Sequence, residues 1–265
     1  MKVAVIQMNC IADNKKANFE IAGRLIEQAG ENGAKLVVLP EIFNCGYCCT
    51  KDWELSETGK GETYDFLKLY AEKYNCAFVG GFVEKAGIPG LVYNSLLFVS
   101  PEGKTGIYRK MYLWGAEKNR FIKGEQLKMW ELDGVKIAPQ ICYEVGFSEN
   151  AKLLALSGAH VLCYSSAFGN ARYYAWDIAT RARALETGTY VLASNHSNVE
   201  GDILFCGHSR IVNPKGEILC ETTRDNDVVI WDIDLNMINV QRDAIPYLRD
   251  INSQFIASEY AKISK

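Results

Sequence analysis

Apolar positions fall into short unbroken runs, separated by stretches in which they recur every three or four residues. Residues 3–8, VAVIQM, form the first run, the pattern of a strand covered on both faces. Ile21, Ala22, Leu25, Ile26 and Ala29 then line one helical face, with Asp13 or Asn14 as the cap and Gly33 as the stop. KLVVLPE (35–41) predicts a second buried strand, closed by Pro40 directly before Glu41. Residues 63–74 suit a helix, and CAFVGGF (76–82) a third strand.

The middle of the chain changes character. LVYNSLLFVS (91–100) and TGIYRKMYL (105–113) flank the turn PEGK, which predicts an antiparallel pair. A strand over 135–143 follows the turn LDGV. A helix over 148–157, the strand HVLCYSS (160–166), a helix over 176–187 and the strand TYVLASN (189–195) restore the alternation. SRIVNPKGEILCET (209–222) is a second hairpin, with Pro-Lys-Gly where the first has Pro-Glu-Gly. Strand–helix alternation followed by a hairpin therefore occurs once in each half, with no linker between. The pattern predicts an α/β fold in one domain over residues 1–265, with internal pseudo-symmetry. Two sheets, each with helices on one face, pack sheet to sheet.

Composition narrows the function classes. A length of 265 residues is near the upper limit for one hydrophobic core. The net charge of −3 and the lack of a basic tail argue against a nucleic-acid partner. No run approaches the roughly 18 apolar residues of a membrane span, so no membrane role is expected. The N-terminus lacks the features of an export signal, which places the protein in the reducing cytoplasm. There, most of the nine cysteines should be small buried hydrophobes.

Three residues break that bland pattern. Glu41, Lys110 and Cys142 each stand at the C-terminal end of a predicted strand, where open α/β sheets keep their sites. Together they supply a proton acceptor, a cation and a nucleophile. A free thiol is only a few per cent thiolate at neutral pH, so a cysteine nucleophile needs a base and a stabilised negative charge. Of the three histidines, His160 and His208 accompany strands, and a Cys142–His196 pair is a weaker alternative to the glutamate. CGYCC (45–49) has no second close pair, so packing thiols are expected there rather than zinc ligands.

VVLPE around Glu41, YRKMYL around Lys110 and QICYEVGFSE around Cys142 resemble the nitrilase superfamily of carbon–nitrogen hydrolases. ALSGAHVLCYSSA, ATRARALETGTYVLASN and GHSRIVNPKGEIL extend the resemblance over the whole chain. It implies a four-layer α-β-β-α sandwich with pseudo-two-fold symmetry, a homodimer or larger homo-oligomer, and no metal or organic cofactor. It also implies Glu41 as general base, Lys110 as oxyanion stabiliser and Cys142 as nucleophile, with Glu117 in WGAEKNRF as a second glutamate beside the substrate. Tyr112 replaces a histidine common in that motif, and Gly146 and Ser148 replace an arginine and a proline after the nucleophile.

The backbone N–H of Tyr143 is expected to assist Lys110. SSAFGNARYYAW (165–176) sits where such proteins line the pocket, with Phe168, Tyr173 and Trp176 as walls and Arg172 as a carboxylate binder. Tyr47 and Asn195 are further candidate contacts. The expected reaction is hydrolysis of a small amide or N-carbamoyl substrate through a thioester. A nitrile hydrolase, a thioester-based acyltransferase and an inactive scaffold are the alternatives.

Overall fold

Along β1 (Lys2–Gln7), Val3 and Val5 face one way and Ala4 and Ile6 the other, and all four are fully buried. The same division runs through β2 (Leu36–Val38), β3 (Ala77–Lys85) and β4 (Val92–Val99). Leu36, Val38, Val79, Leu96 and Phe98 point into a core shared with the other sheet. Val37, Phe78, Phe82 and Leu97 point into a core closed by helices. A strand buried on both faces reads as a continuous apolar run because neither side meets water.

The computed structural model describes residues 1–263; residues 264 and 265 of the expected domain lie outside the described residues. The remaining strands are β5 (Thr105–Arg109), β6 (Trp130–Leu132), β7 (Val135–Ile141), β8 (Val161–Ser166), β9 (Tyr190–Asn195), β10 (Ser197–Glu200), β11 (Ile203–Cys206), β12 (Ser209–Val212), β13 (Ile218–Thr222) and β14 (Asp227–Asp232). One sheet has the order β14-β1-β2-β3-β4-β5 and the other β6-β7-β8-β9-β12-β13. Each has three central parallel strands, an antiparallel strand before them and an antiparallel hairpin after them. This is the predicted pseudo-two-fold repeat.

Helices Lys15–Glu31 and Glu62–Tyr74 cover the first sheet through Ala22, Leu25, Ile26, Leu67 and Ala71. Asn14 caps the first of them, accepting the Ala17 N–H at 3.1 Å. Ser148–Leu156 and Tyr173–Thr187 cover the second sheet through Ala151, Leu154, Trp176 and Ala184. The four layers are thus α-β-β-α.

Several boundaries differ from those read in the sequence. The strand expected over 105–113 ends at Arg109, and the one over 135–143 ends at Ile141. In both cases the chain leaves the sheet directly before a candidate site residue, Lys110 or Cys142. The last main helix begins at Tyr173, three residues before the expected start. Strands β6, β10, β11 and β14 and the C-terminal helices Asn236–Ala244, Tyr247–Asp250 and Ser253–Ile263 were not anticipated.

The two sheets meet at their C-terminal edges. Met8, just past β1, bridges in parallel to His196, just past β9. The Ser197 N–H donates to the Met8 carbonyl at 2.9 Å. The segments that follow β2, β7, β8 and β9 therefore emerge around one rim.

Candidate active site

Glu41 comes three residues after β2 and is fully buried. Its position depends on Gly81 in β3, because a Cβ there would lie 2.2 Å from the Ile42 nitrogen and 2.7 Å from the Glu41 Cα. Only glycine admits so close a backbone approach. The next residue, Ile42, has φ +46, a strained conformation for a β-branched side chain that its surroundings must hold in place. Oε1 of Glu41 accepts from Asn94 Nδ2 and from Lys110 Nζ, each at 2.6 Å. Oε2 accepts the Ala167 N–H at 2.9 Å. The carboxylate therefore ties both sheets together at the rim.

Lys110 follows β5 directly and has no solvent exposure. Its Nζ also donates to Glu117 Oε1 at 2.8 Å, so one ammonium is held between two carboxylates. Burial by itself pulls its pKa down, but the charges of Glu41 and Glu117 outweigh that and raise it. Lys110 stays an ammonium at any working pH. Glu117 Oε1 also accepts from the Tyr47 hydroxyl at 2.7 Å, and Oε2 accepts the Trp114 N–H at 2.9 Å. Burial and the Glu117 and Glu41 charges push the Tyr47 phenol up, so it remains a donor.

Cys142 opens a tight helical turn, residues 142–146, with φ +46 and 7% exposure. The left-handed backbone turns the side chain out of the strand line and towards a pocket. Burial, then the charge of Glu41, pushes the thiol pKa well above its usual value, while Lys110 and the Ala167 N–H pull it back. The sulfur rests as a neutral thiol within reach of the fields of Glu41, Lys110 and Glu117. The Tyr143 N–H, among the first of that turn, has no intrahelical acceptor by its position.

Glu144 holds the turn, and sequence reasoning missed it. Its Oε2 accepts the Ile141 N–H at 2.7 Å and the Tyr108 hydroxyl at 2.8 Å; its Oε1 accepts the Met111 N–H at 2.7 Å. The carboxylate thereby links the Cys142 turn to the segment that carries Lys110. Burial pushes its pKa up to about 7, with the Ile141 and Met111 N–H donors and the Tyr108 hydroxyl pulling the other way. Replacing Glu144 with glutamine turns an NH2 group towards buried donors. The expected loss is about 2 kcal/mol, a fall in Tm of about 4–8 °C, read by thermal unfolding.

The pocket beside the sulfur has a volume of about 160 Å³ and mostly apolar walls. Tyr47, Trp114, Tyr143, Phe168 and Arg172 line it with Cys142. That is smaller than the roughly 300 Å³ lower limit of drug-sized sites, so it fits a compact ligand. The Arg172 guanidinium lies 4.9 Å from the Trp114 ring centroid and has no carboxylate partner among the described residues.

Other expected contacts fall elsewhere. The Tyr173 ring lies tilted against His208, centroids 4.2 Å apart, and does not line the pocket. The buried Trp176 is behind it, 5.4 Å from Phe168, with its indole N–H on the His208 carbonyl at 3.0 Å. Asn195 is buried and fully committed: Oδ1 accepts the Phe168 N–H at 2.7 Å and Nδ2 donates to the Gly207 carbonyl at 2.7 Å. It shapes the wall through Phe168 instead of facing a ligand.

The alternative Cys142–His196 pair does not form, because both ring nitrogens of His196 face other groups. Cys48 donates to the Glu200 carbonyl at 3.1 Å, while Cys45 and Cys49 are buried in one apolar cluster. Among the described residues, no three His, Cys, Asp or Glu side chains converge as metal ligands.

A family model described as "Carbon-nitrogen hydrolase" matches residues 2–243. The chain is 33% identical over 264 residues to a "Nitrilase" of Pyrococcus abyssi, with 96% of each covered. It is 32% identical to "Omega-amidase NIT2" of Danio rerio, with 92% of each covered. A crystal structure of a carbon–nitrogen hydrolase from Helicobacter pylori superposes with TM-score 0.90 at 27% identity, covering 97% of each chain. Nit3 of Saccharomyces cerevisiae, a nitrilase-superfamily member, superposes with TM-score 0.86 at 30% identity, covering 93% of this chain and 94% of that one.

Proposed function

The chain belongs to the carbon–nitrogen hydrolase family of the nitrilase superfamily, and from that premise we propose that it cleaves a small amide or N-carbamoyl substrate through a thioester on Cys142. The observation that carries this reading is the Lys110 ammonium clamped between Glu41 and Glu117, with Cys142 at the wall of an adjacent pocket. A raised thiol pKa means that sulfur must lose its proton as it attacks, and Glu41 is the acceptor. The carbonyl oxygen becomes negative next to Lys110 and the Tyr143 N–H. One such donor supplies on the order of 3 kcal/mol of barrier lowering.

Glu41 returns the proton to the departing nitrogen, which leaves as ammonia or an amine. It then takes a proton from water, and the hydroxide opens the thioester. The thiol regains that proton and a carboxylate product departs. Glu117, fixed by Tyr47 and Trp114, keeps Lys110 in place throughout. We take residues 1–265 to act as one such domain.

Arg172 is the reading's specificity element. Gly146 stands where the family motif has arginine, and a Cβ there would meet nothing within 4 Å. Arg172 is thus the cation at this pocket, suited to a carboxylate on the substrate. Arg172→Ala should raise KM for an acidic amide about 10- to 100-fold with kcat little changed. Equal losses on carboxylate-free amides would remove that role.

A nitrile could be attacked by the same thiol, and the Pyrococcus relative's name keeps that reading open. Ammonia release from a panel of amides, N-carbamoyl amino acids and nitriles separates the two. The nine unpaired cysteines suit a reducing cytoplasm. Tyr174, Ile178 and Leu153, each more than half exposed on the outer helices, suit a homodimer or larger assembly.

A further inference from the structure

The Glu41 carboxylate is held by Asn94, Lys110 and Ala167, but its backbone is held by something else. His196 Nε2 lies 2.6 Å from the Glu41 carbonyl oxygen, and the ring is fully buried. A carbonyl only accepts, so Nε2 carries hydrogen. Nδ1 lies 3.1 Å from Glu200 Oε2, a second acceptor. The other oxygen of Glu200 accepts the Cys48 N–H at 2.8 Å. The Cys10 thiol and the Phe205 ring complete the surroundings, with Phe205 at 5.1 Å.

This pair therefore grips the loop 41–48 at both ends. One end carries Glu41, and the other lies next to Tyr47, which holds Glu117. Ile42 keeps its left-handed φ of +46 only while the peptide before it is fixed. The Gly81 N–H fixes the Pro40 carbonyl at 3.1 Å, and His196 fixes the carbonyl of Glu41.

We infer that His196, oriented by Glu200, is a positioning residue that locks the strained Glu41 backbone and so aims the carboxylate at the Cys142 proton. It lines neither the pocket nor the Cys142 turn. Its loss should slow proton transfer and leave binding at the pocket alone. The inference rests on the hydrolase reading only for the role of Glu41 as proton acceptor.

The test uses iodoacetamide, so no substrate need be known. The alkylation rate of Cys142 at pH 7 is followed by peptide mass in wild type, His196→Ala and His196→Gln, with folding monitored by circular dichroism. His196→Ala should slow alkylation about 10- to 100-fold, the usual size of a small misplacement of a reacting group. His196→Gln should restore part of the rate, since its amide N–H can reach the carbonyl. With an amide that the wild type hydrolyses, kcat should fall likewise and KM should hold. A folded His196→Ala with wild-type alkylation overturns the inference. So does a His196→Gln that alkylates as slowly as His196→Ala. Should the alanine variant not fold, nitrogen NMR of the wild-type ring decides: a protonated Nε2 is required, and a bare one overturns it. A wild type inactive on every C–N substrate would instead defeat the hydrolase reading.

Discussion

Cys142→Ala abolishes turnover and leaves the fold standing. The side chain lies at a pocket wall, 7% exposed, so removing sulfur leaves only a small void beside existing space. Alanine and cysteine tolerate φ +46 about equally badly, so the backbone strain is unchanged. The stability cost should be under about 1 kcal/mol. The chemical cost is complete loss of the covalent route, at least about 10⁴-fold in kcat by analogy with other nucleophile deletions. Ammonia release and a thermal melt on one sample check both halves. Residual turnover above one part in about a hundred would exclude the thiol as nucleophile.

Glu41→Gln should be nearly as severe, for a different reason. Three donors converge on the carboxylate: Lys110, Asn94 and the Ala167 N–H. A glutamine can present oxygen to Lys110 and Asn94, but its NH2 then faces the Ala167 N–H. It keeps the volume and cannot accept the Cys142 proton. A loss of about 10³-fold in kcat is expected, within the range for removing a general base. Alkylation of Cys142 by iodoacetamide should slow as well, because the same proton must leave. Lys110 remains charged through Glu117, so the variant still folds around an ion pair. Unaltered kcat in a folded Glu41→Gln would assign the proton transfer to another group.

Much of the framework was legible in the apolar runs. VAVIQM and KLVVLPE are uninterrupted because both faces of the first sheet are covered, and the two Pro-Xaa-Gly turns announced the paired hairpins. The strand β14 leaves no local signal of its place because it belongs with β1, at least 220 residues away. Nothing local marks such a pairing. The β10–β11 hairpin did leave a signal in Gly201–Asp202, with Gly201 at φ +58, a turn signature between short strands. The strand ends point to Glu41, Lys110 and Cys142 at one sheet edge, and the motif resemblance adds Glu117; Lys110 is ion-paired to both Glu41 and Glu117. The roles of Glu144 and His196 are not legible in the sequence. Each acts by receiving or giving hydrogen bonds to backbone groups distant in sequence, and backbone groups leave no trace in the order of side chains. Position at a strand or helix end suggests pocket-facing side chains for Tyr173 and Asn195, but it does not fix direction: Asn195 is consumed by the chain around it and Tyr173 lies against His208.

A thioester on Cys142 can be trapped during turnover. The protein is mixed with an amide that it hydrolyses, quenched in acid during turnover and digested for peptide mass analysis. The acyl group of that substrate should appear on the peptide containing Cys142 and be absent from Cys142→Ala. Steady turnover with Cys142 unmodified at every quench time, or with the acyl group on another residue, would contradict the thioester route.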